Sequence, residues 1–217
     1  MRITHLGHSC LLVEIADRRI LLDPGSFSAG FEELTGLDAI VVTHQHADHL
    51  DQGRFPALVR ANPDAVLHAD PQSAALLGEQ DLTVAALVAG MEVTIGEVTL
   101  SPRGAQHAFN HAGVPTVANV GVRIEAPGEP SLFHPGDAYD AEPGQVDVLA
   151  VPINAPWCAV RDTIDFVRRL GPGSILPIHD ALLAPPGRGL YLTHVQTHGG
   201  TDLTVHDLGR GESATIA

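Results

Sequence analysis

The sequence contains no lysine; all 12 of its basic residues are arginine. Chemistry that needs a lysine amine, such as a Schiff base, is excluded. Positive charge is scarce altogether: 26 acidic residues bring the formal net charge to −14. That balance opposes nucleic-acid binding, which depends on clustered Lys and Arg. Cysteine is nearly absent, with Cys10 and Cys158 alone. Two thiols make no disulfide framework and suit a reducing cytoplasm, although a pairing of Cys10 with Cys158 stays open. Long apolar runs are missing too. No stretch reaches the roughly 18 residues of a membrane helix. The chain starts in strand-like sequence without the apolar core of a secretory signal. A cytoplasmic protein with no membrane span is expected. A glycine-rich phosphate loop is also lacking; Gly7, Gly25, Gly53 and Gly136 read as turn residues.

What is present is enough for a packed core. Of 217 residues, 44% are hydrophobic and only 18% charged, which fits an ordered chain and one domain over residues 1–217. Short strands are predicted at 2–6, 10–15 and 19–22. The continuous apolar run at 39–42 reads as a strand buried on both faces. Helices are predicted at 54–61 and 72–77, with a strand at 65–68 between them. Further strands follow at 91–95, 98–103, 117–125, 131–133 and 146–151. An amphipathic helix at 160–170, a strand at 174–176, a helix near 190–197 and strands at 203–206 and 213–216 complete the chain. Two strand-rich halves, each with helices on one side, suggest an α+β fold of two packed sheets with helices outside.

The chemistry begins where the buried strand ends. His44-Gln45-His46-Ala47-Asp48-His49 places four ligand-type side chains in six residues, on a loop able to fold back on itself. Imidazole and carboxylate together suit Zn²⁺, Fe or Mn²⁺. His44 and His46 can reach one metal while Asp48 and His49 reach a neighbour. The remaining histidines, 13 in all, need not be ligands. His194 and His198 have helical i, i+4 spacing, but without a Glu beside His194 the zinc-protease motif is absent. His5, His68 and His206 lie in predicted strands as ordinary packed or surface residues. Trp157 follows a buried strand and either lines a pocket or caps the core.

The His44 to His49 segment resembles the signature of the metallo-β-lactamase superfamily, matching it at His44, His46, Asp48 and His49. The resemblance implies a four-layer αββα sandwich of two mixed sheets. It also implies three more ligands on later loops: His107, Asp137 as a bridging carboxylate in Gly136-Asp137, and His179 in Pro177-Ile178-His179. His111 is the rival to His107, and Asp140 or Asp180 would be substitutes for Asp137. The opening Thr4-His5-Leu6-Gly7-His8-Ser9-Cys10, with Ile20-Leu21-Leu22-Asp23-Pro24, is similar to a branch containing L-ascorbate-6-phosphate lactonase and a phospholipase D. His8, in that motif, either lines the site as a catalytic residue or holds its loop by hydrogen bonds. The chain departs from the family at Ala138, where Thr is common, and at His134, where an apolar residue is common.

These readings imply a metal-dependent hydrolase holding two Zn²⁺ per chain, with Mn²⁺ or Fe as rivals. A metal-bridging hydroxide would attack a small ester, lactone or phosphoester. Asp48 would bind metal and also accept a proton. The substrate expected is a small anionic or ester-like molecule, and homo-oligomerisation is left open. A mononuclear iron dioxygenase, a redox member of the superfamily and a non-catalytic metal-binding protein are the alternatives.

Overall fold

Alternation along the strands explains how the chain divides its apolar residues. In β2 (Leu11–Ile15), Leu11, Val13 and Ile15 face one way and Leu12 the other, as successive strand residues must. The computed structural model, which describes residues 1–217, shows where each face goes. The first sheet holds β1 (Arg2–His5), β2, β3 (Arg18–Leu22), β4 (Ala39–Val42), β5 (Val66–Ala69), β6 (Ala85–Ala86) and β14 (Ser213–Thr215), in the order β14-β1-β2-β3-β4-β5-β6. The second holds β7 (Val93–Ile95), β8 (Val98–Arg103), β9 (Gly121–Glu125), β10 (Leu132–His134), β11 (Val148–Pro152), β12 (Ser174–Ile178) and β13 (Thr204–Val205), in the order β13-β12-β11-β10-β9-β8-β7.

Each sheet is mixed in the same way. Strands β14, β1, β2 and β3 pair antiparallel and β3 to β6 parallel in one sheet; β7 to β10 pair antiparallel and β10 to β13 parallel in the other. Ile3, Val13, Ile20 and Val41 of the first sheet pack against Val98, Leu100, Ile124 and Ala150 of the second, forming the central core. The outer faces are covered by α1 (Phe55–Ala61) and α2 (Pro71–Gly78) on one side. On the other side lie α3 (Val160–Leu170) and α4 (Pro185–His198), where Phe166, Val167 and Val195 meet Leu149 and Val151. This is the metallo-β-lactamase fold, a helix–sheet–sheet–helix sandwich.

Local chemistry sets several boundaries. The Asp70 side chain accepts hydrogen bonds from the Gln72 and Ser73 N–H groups, starting α2 with Pro71 in its first turn. Helix α4 begins at Pro185, five residues before the sequence expectation, because proline needs no N–H partner there. Strand β9 is shorter than the expected 117–125: Ala118 makes only an isolated bridge to Gln106, and the N–H groups of Ala118 and Val120 donate outside the sheet, to Gln72 Oε1 and the Thr43 carbonyl. The two-residue β6 and a short 3₁₀ turn at Phe31–Glu33 have no periodic signal. Both cysteines are free, with Cys10 buried.

Candidate metal centre

The centre forms where strand ends from both sheets meet. The loop after β4 folds back on itself because the N–H groups of His49 and Leu50 both reach the His46 carbonyl, at 2.9 and 2.8 Å. His8 follows β1, His107 follows β8, Asp137 follows β10 and His179 directly follows β12. These residues, with His44, His46, Asp48 and His49, converge in three overlapping groups whose ligand atoms lie within 4.8 Å of one another. One group is His44, His46 and His107; another is His8, Asp48, His49 and His179; the third joins His44 and His49 to Asp137.

The ring nitrogens are sorted by their partners. His107 Nδ1 donates to the Ala108 carbonyl at 2.7 Å and His179 Nδ1 to the Asn154 carbonyl at 2.6 Å. His49 Nδ1 donates to Asp23 Oδ2 at 2.6 Å. The Thr43 hydroxyl donates to Asp23 Oδ2 at 2.7 Å, so it accepts from His44 Nδ1 at 3.1 Å. In all four rings the far nitrogen, Nε2, is left facing the centre, the arrangement a metal-ligating histidine needs. His8 works differently. Its Nδ1 accepts the Ala181 N–H at 3.3 Å, so its Nε2–H donates to Asp48 Oδ2 at 3.1 Å.

Backbone geometry is unusual at the same places. His8, Asp23 and His179 all have φ between 46° and 59°, a region costing about 1–3 kcal/mol for non-glycine residues. Hydrogen bonds hold them there: the His8 carbonyl accepts from both the His179 N–H at 2.9 Å and His5 Nε2 at 3.0 Å. Gly136, at φ 62°, is forced, because a Cβ would lie 2.2 Å from Asn119 Oδ1 and 2.8 Å from Thr43. Gly25 is more than a turn residue. A Cβ there would lie 1.7 Å from the Asp48 carbonyl oxygen, so glycine lets this strand end press against the ligand loop.

Protons stand in for cations in this geometry. Burial would push His49 down, but the charges of Asp137 and Asp23 raise it well above its usual value. Burial opposes His179 similarly, and the charge of Asp137, with Oδ2 3.1 Å from Nε2, raises it to about 9. Burial works against ionising Asp137 and Asp48 as well. His49 and His179 nevertheless hold Asp137 well below the carboxylate range, and His179 Nε2 at 3.5 Å together with the His8 hydrogen bond does the same for Asp48. His44 is driven well below its usual value by burial and by charged His49. His46 and His8 are lowered, chiefly by burial.

The donor set fits divalent metal. His49 Nε2, His179 Nε2 and Asp137 Oδ1 are buried and lack hydrogen-bond partners, and such atoms are rare without an ion or water to satisfy them. They are also the ligand types of two-metal sites. Two cavities flank the centre. One of about 540 Å³ is bordered by His8, Phe27 and Arg210, and one of about 560 Å³ by His107, Phe109 and Tyr139.

All seven expected ligands, and His8, fall in this centre. His111 is exposed and accepts the Gly113 N–H, away from the groups. Asp140 is exposed, and Asp180 is paired with Arg188 at 2.6 Å. His194 and His198 lie on the exposed face of α4. Trp157 lines the centre, its Nε1–H donating to Asp137 Oδ2 at 2.9 Å. The sequence reading missed Asp23, Thr43 and Asn119 as supports. Asp23 was visible beside Pro24, but its role needs the parallel register Leu22↔Val41, which sets the end of β3 beside the ligand loop.

Comparison with known proteins agrees with this geometry. Residues 2–179, which include every expected ligand, match the model of the β-lactamase superfamily domain. The chain is 44% identical to Protein Rv0786c of Mycobacterium tuberculosis over 94% of its length and 96% of that protein's. It is 32% identical to the UPF0173 metal-dependent hydrolase of Xanthobacter autotrophicus over 63% of its own length and 62% of that protein's. Igni18, a metallo hydrolase from Ignicoccus hospitalis, has the same fold at 20% identity, with a TM-score of 0.76 over 100% of this chain and 98% of that one. The chain belongs to the metallo-β-lactamase superfamily.

Proposed function

We propose that this chain is a metal-dependent hydrolase with two divalent cations, zinc favoured and Mn²⁺ or Fe as rivals, acting on a small ester, lactone or phosphoester. The observation that carries the reading is the pairing of two ligand sets across one carboxylate. His44, His46 and His107 would hold one cation, and Asp48, His49 and His179 the other, with Asp137 between them. Bound dications would acidify a water and polarise the oxygen of the bond to be cleaved.

The chain's own residues do the rest. Asp23 and Thr43 fix the imidazoles of His49 and His44, and the Ala108 and Asn154 carbonyls fix those of His107 and His179. The His8–Asp48 pair is the proton-handling element, with the proton on His8 Nε2 directed at Asp48 Oδ2. The downward hold on Asp48 keeps it ionised, so that it accepts the proton His8 Nε2 directs at it. The complete second set supports a hydrolase over a mononuclear iron dioxygenase, which would need only one cation. The flanking cavities are of the size that admits a small molecule.

Protein isolated without chelator should be analysed for metals, then screened against lactones, phosphodiesters and phosphomonoesters. Up to two equivalents of metal and turnover of one class are expected. Absence of transition metal, with no activity on adding any, would overturn the proposal.

A further inference from the structure

Asp137 is fixed from several sides. Its backbone N–H donates to Asn119 Oδ1 at 2.9 Å, and Gly136 before it leaves no room to shift. Its Oδ2 accepts the indole Nε1–H of Trp157 at 2.9 Å. The same Oδ2 lies 3.1 Å from His179 Nε2 and 3.4 Å from His107 Nε2, while Oδ1 faces His49 Nε2 at 3.1 Å, outside hydrogen-bond alignment, and has no partner. The indole is itself anchored. Tyr139 meets it edge-on at 4.8 Å between ring centroids and stacks on Phe166 of α3 at 4.5 Å. The Tyr139 hydroxyl bonds to the Pro152 carbonyl, at the end of β11, and to Thr163 Oγ1 in α3. A ladder of rings therefore runs from the helix layer to the carboxylate.

We propose that Trp157 is a positioning residue for Asp137, holding Oδ2 and so fixing how both carboxylate oxygens face the ligand imidazoles and the cations they would bind. The inference rests on the two-cation reading above. An indole suits this task for an electrostatic reason. It is a donor with no acceptor nitrogen and no charge. It therefore satisfies one carboxylate oxygen without competing for metal and without adding positive charge beside two dications, as an arginine would. It also fixes the rotation of the carboxylate, which the Asn119 bond to the backbone does not.

Trp157 is the only tryptophan, so its indole N–H gives a single, separate NMR cross-peak. In ¹⁵N-labelled wild-type protein that peak should move in step with Zn²⁺ uptake. Trp157→Phe keeps a ring against Tyr139 and deletes the N–H. It should bind the first equivalent of Zn²⁺ as wild type does and the second at least ~10-fold more weakly, the scale typical of lost support around metal ligands, measured by competition with a chromophoric chelator. A wild-type peak unmoved at saturating Zn²⁺ would overturn the proposal without reference to any variant. So would a Trp157→Phe protein that takes both equivalents as tightly as wild type, and in that case the two-cation reading would stand. Wild-type protein that binds no divalent metal would overturn both.

Discussion

His49 and Asp23 form a wholly buried pair, joined by a 2.6 Å hydrogen bond from Nδ1 to Oδ2. Asp23 does not touch the centre where metal would sit, yet it orients two of the rings that do. Its Oδ2 holds His49 directly and His44 through the Thr43 hydroxyl, while its Oδ1 accepts the Thr43 N–H at 2.7 Å. Asp23→Ala should therefore lower metal affinity roughly 10–100-fold, the usual cost of losing such a support. Zinc competition with a chelator measures it, and an unchanged affinity would show that Asp23 only packs.

How much of this was visible beforehand depends on how local the signal is. The ligand loop announces itself, since His44, His46, Asp48 and His49 are contiguous and follow the fully apolar β4. His107, Asp137 and His179 were found by resemblance, because nothing in their own neighbourhoods distinguishes them from His111, Asp140 or Asp180. Asp23 and Trp157 were present in quoted motifs, but their roles come from strand register and ring stacking, which a linear pattern does not encode. Strand β9 is shorter than its pattern for the same reason: 117–120 reads as strand, but the N–H groups of Ala118 and Val120 donate to Gln72 Oε1 and the Thr43 carbonyl, partners distant in sequence.

Gly25 tests the packing of the ligand loop. The 1.7 Å contact a Cβ would make is with backbone, the Asp48 carbonyl, and no side-chain rotation relieves it. Gly25→Ala should destabilise the protein by more than about 3 kcal/mol, the upper end for overpacking by side chains, and abolish metal uptake. Gly78→Ala, at the end of α2 with nothing within 4 Å of its Cβ, should be stabilising by about 0.4–1 kcal/mol. Urea denaturation of the two variants compares them directly; equal stabilities would contradict the geometry.

His107 and His111 make a second matched pair. His107 is buried, with Nδ1 tied to a carbonyl and Nε2 3.4 Å from Asp137 Oδ2, whereas His111 is exposed. His107→Ala should lose the cation held with His44 and His46, and His111→Ala should keep two equivalents. Metal content by elemental analysis reads the difference. Loss of metal in His111→Ala alone would reverse the assignment.

Metal uptake and stability should be tied to pH in opposite senses. In the metal-free protein His179 is raised to about 9 by Asp137 and Asp48, and His49 is raised as well. A proton on these rings is favoured by folding, so its contribution to stability is fully present below the unfolded histidine value near 6.5. It is lost as pH rises through about 9. The carboxylates behave inversely: Asp48 and Asp137 are lowered, so their contribution is present above about 4 and is lost as pH falls toward their folded values. The denaturation midpoint of metal-free protein should therefore decline between pH 7 and 9.5. A cation needs the same imidazoles neutral, so zinc must displace those protons. Zinc binding at pH 7 should release protons into weakly buffered solution, and affinity should climb with pH until about 9. Zinc-loaded protein no longer carries these protons, so its midpoint should lack the alkaline decline, and the gap between the two forms should widen with pH. A metal-free protein whose stability is flat over that range, or zinc uptake without proton release, would show that protons do not occupy the places of the metals.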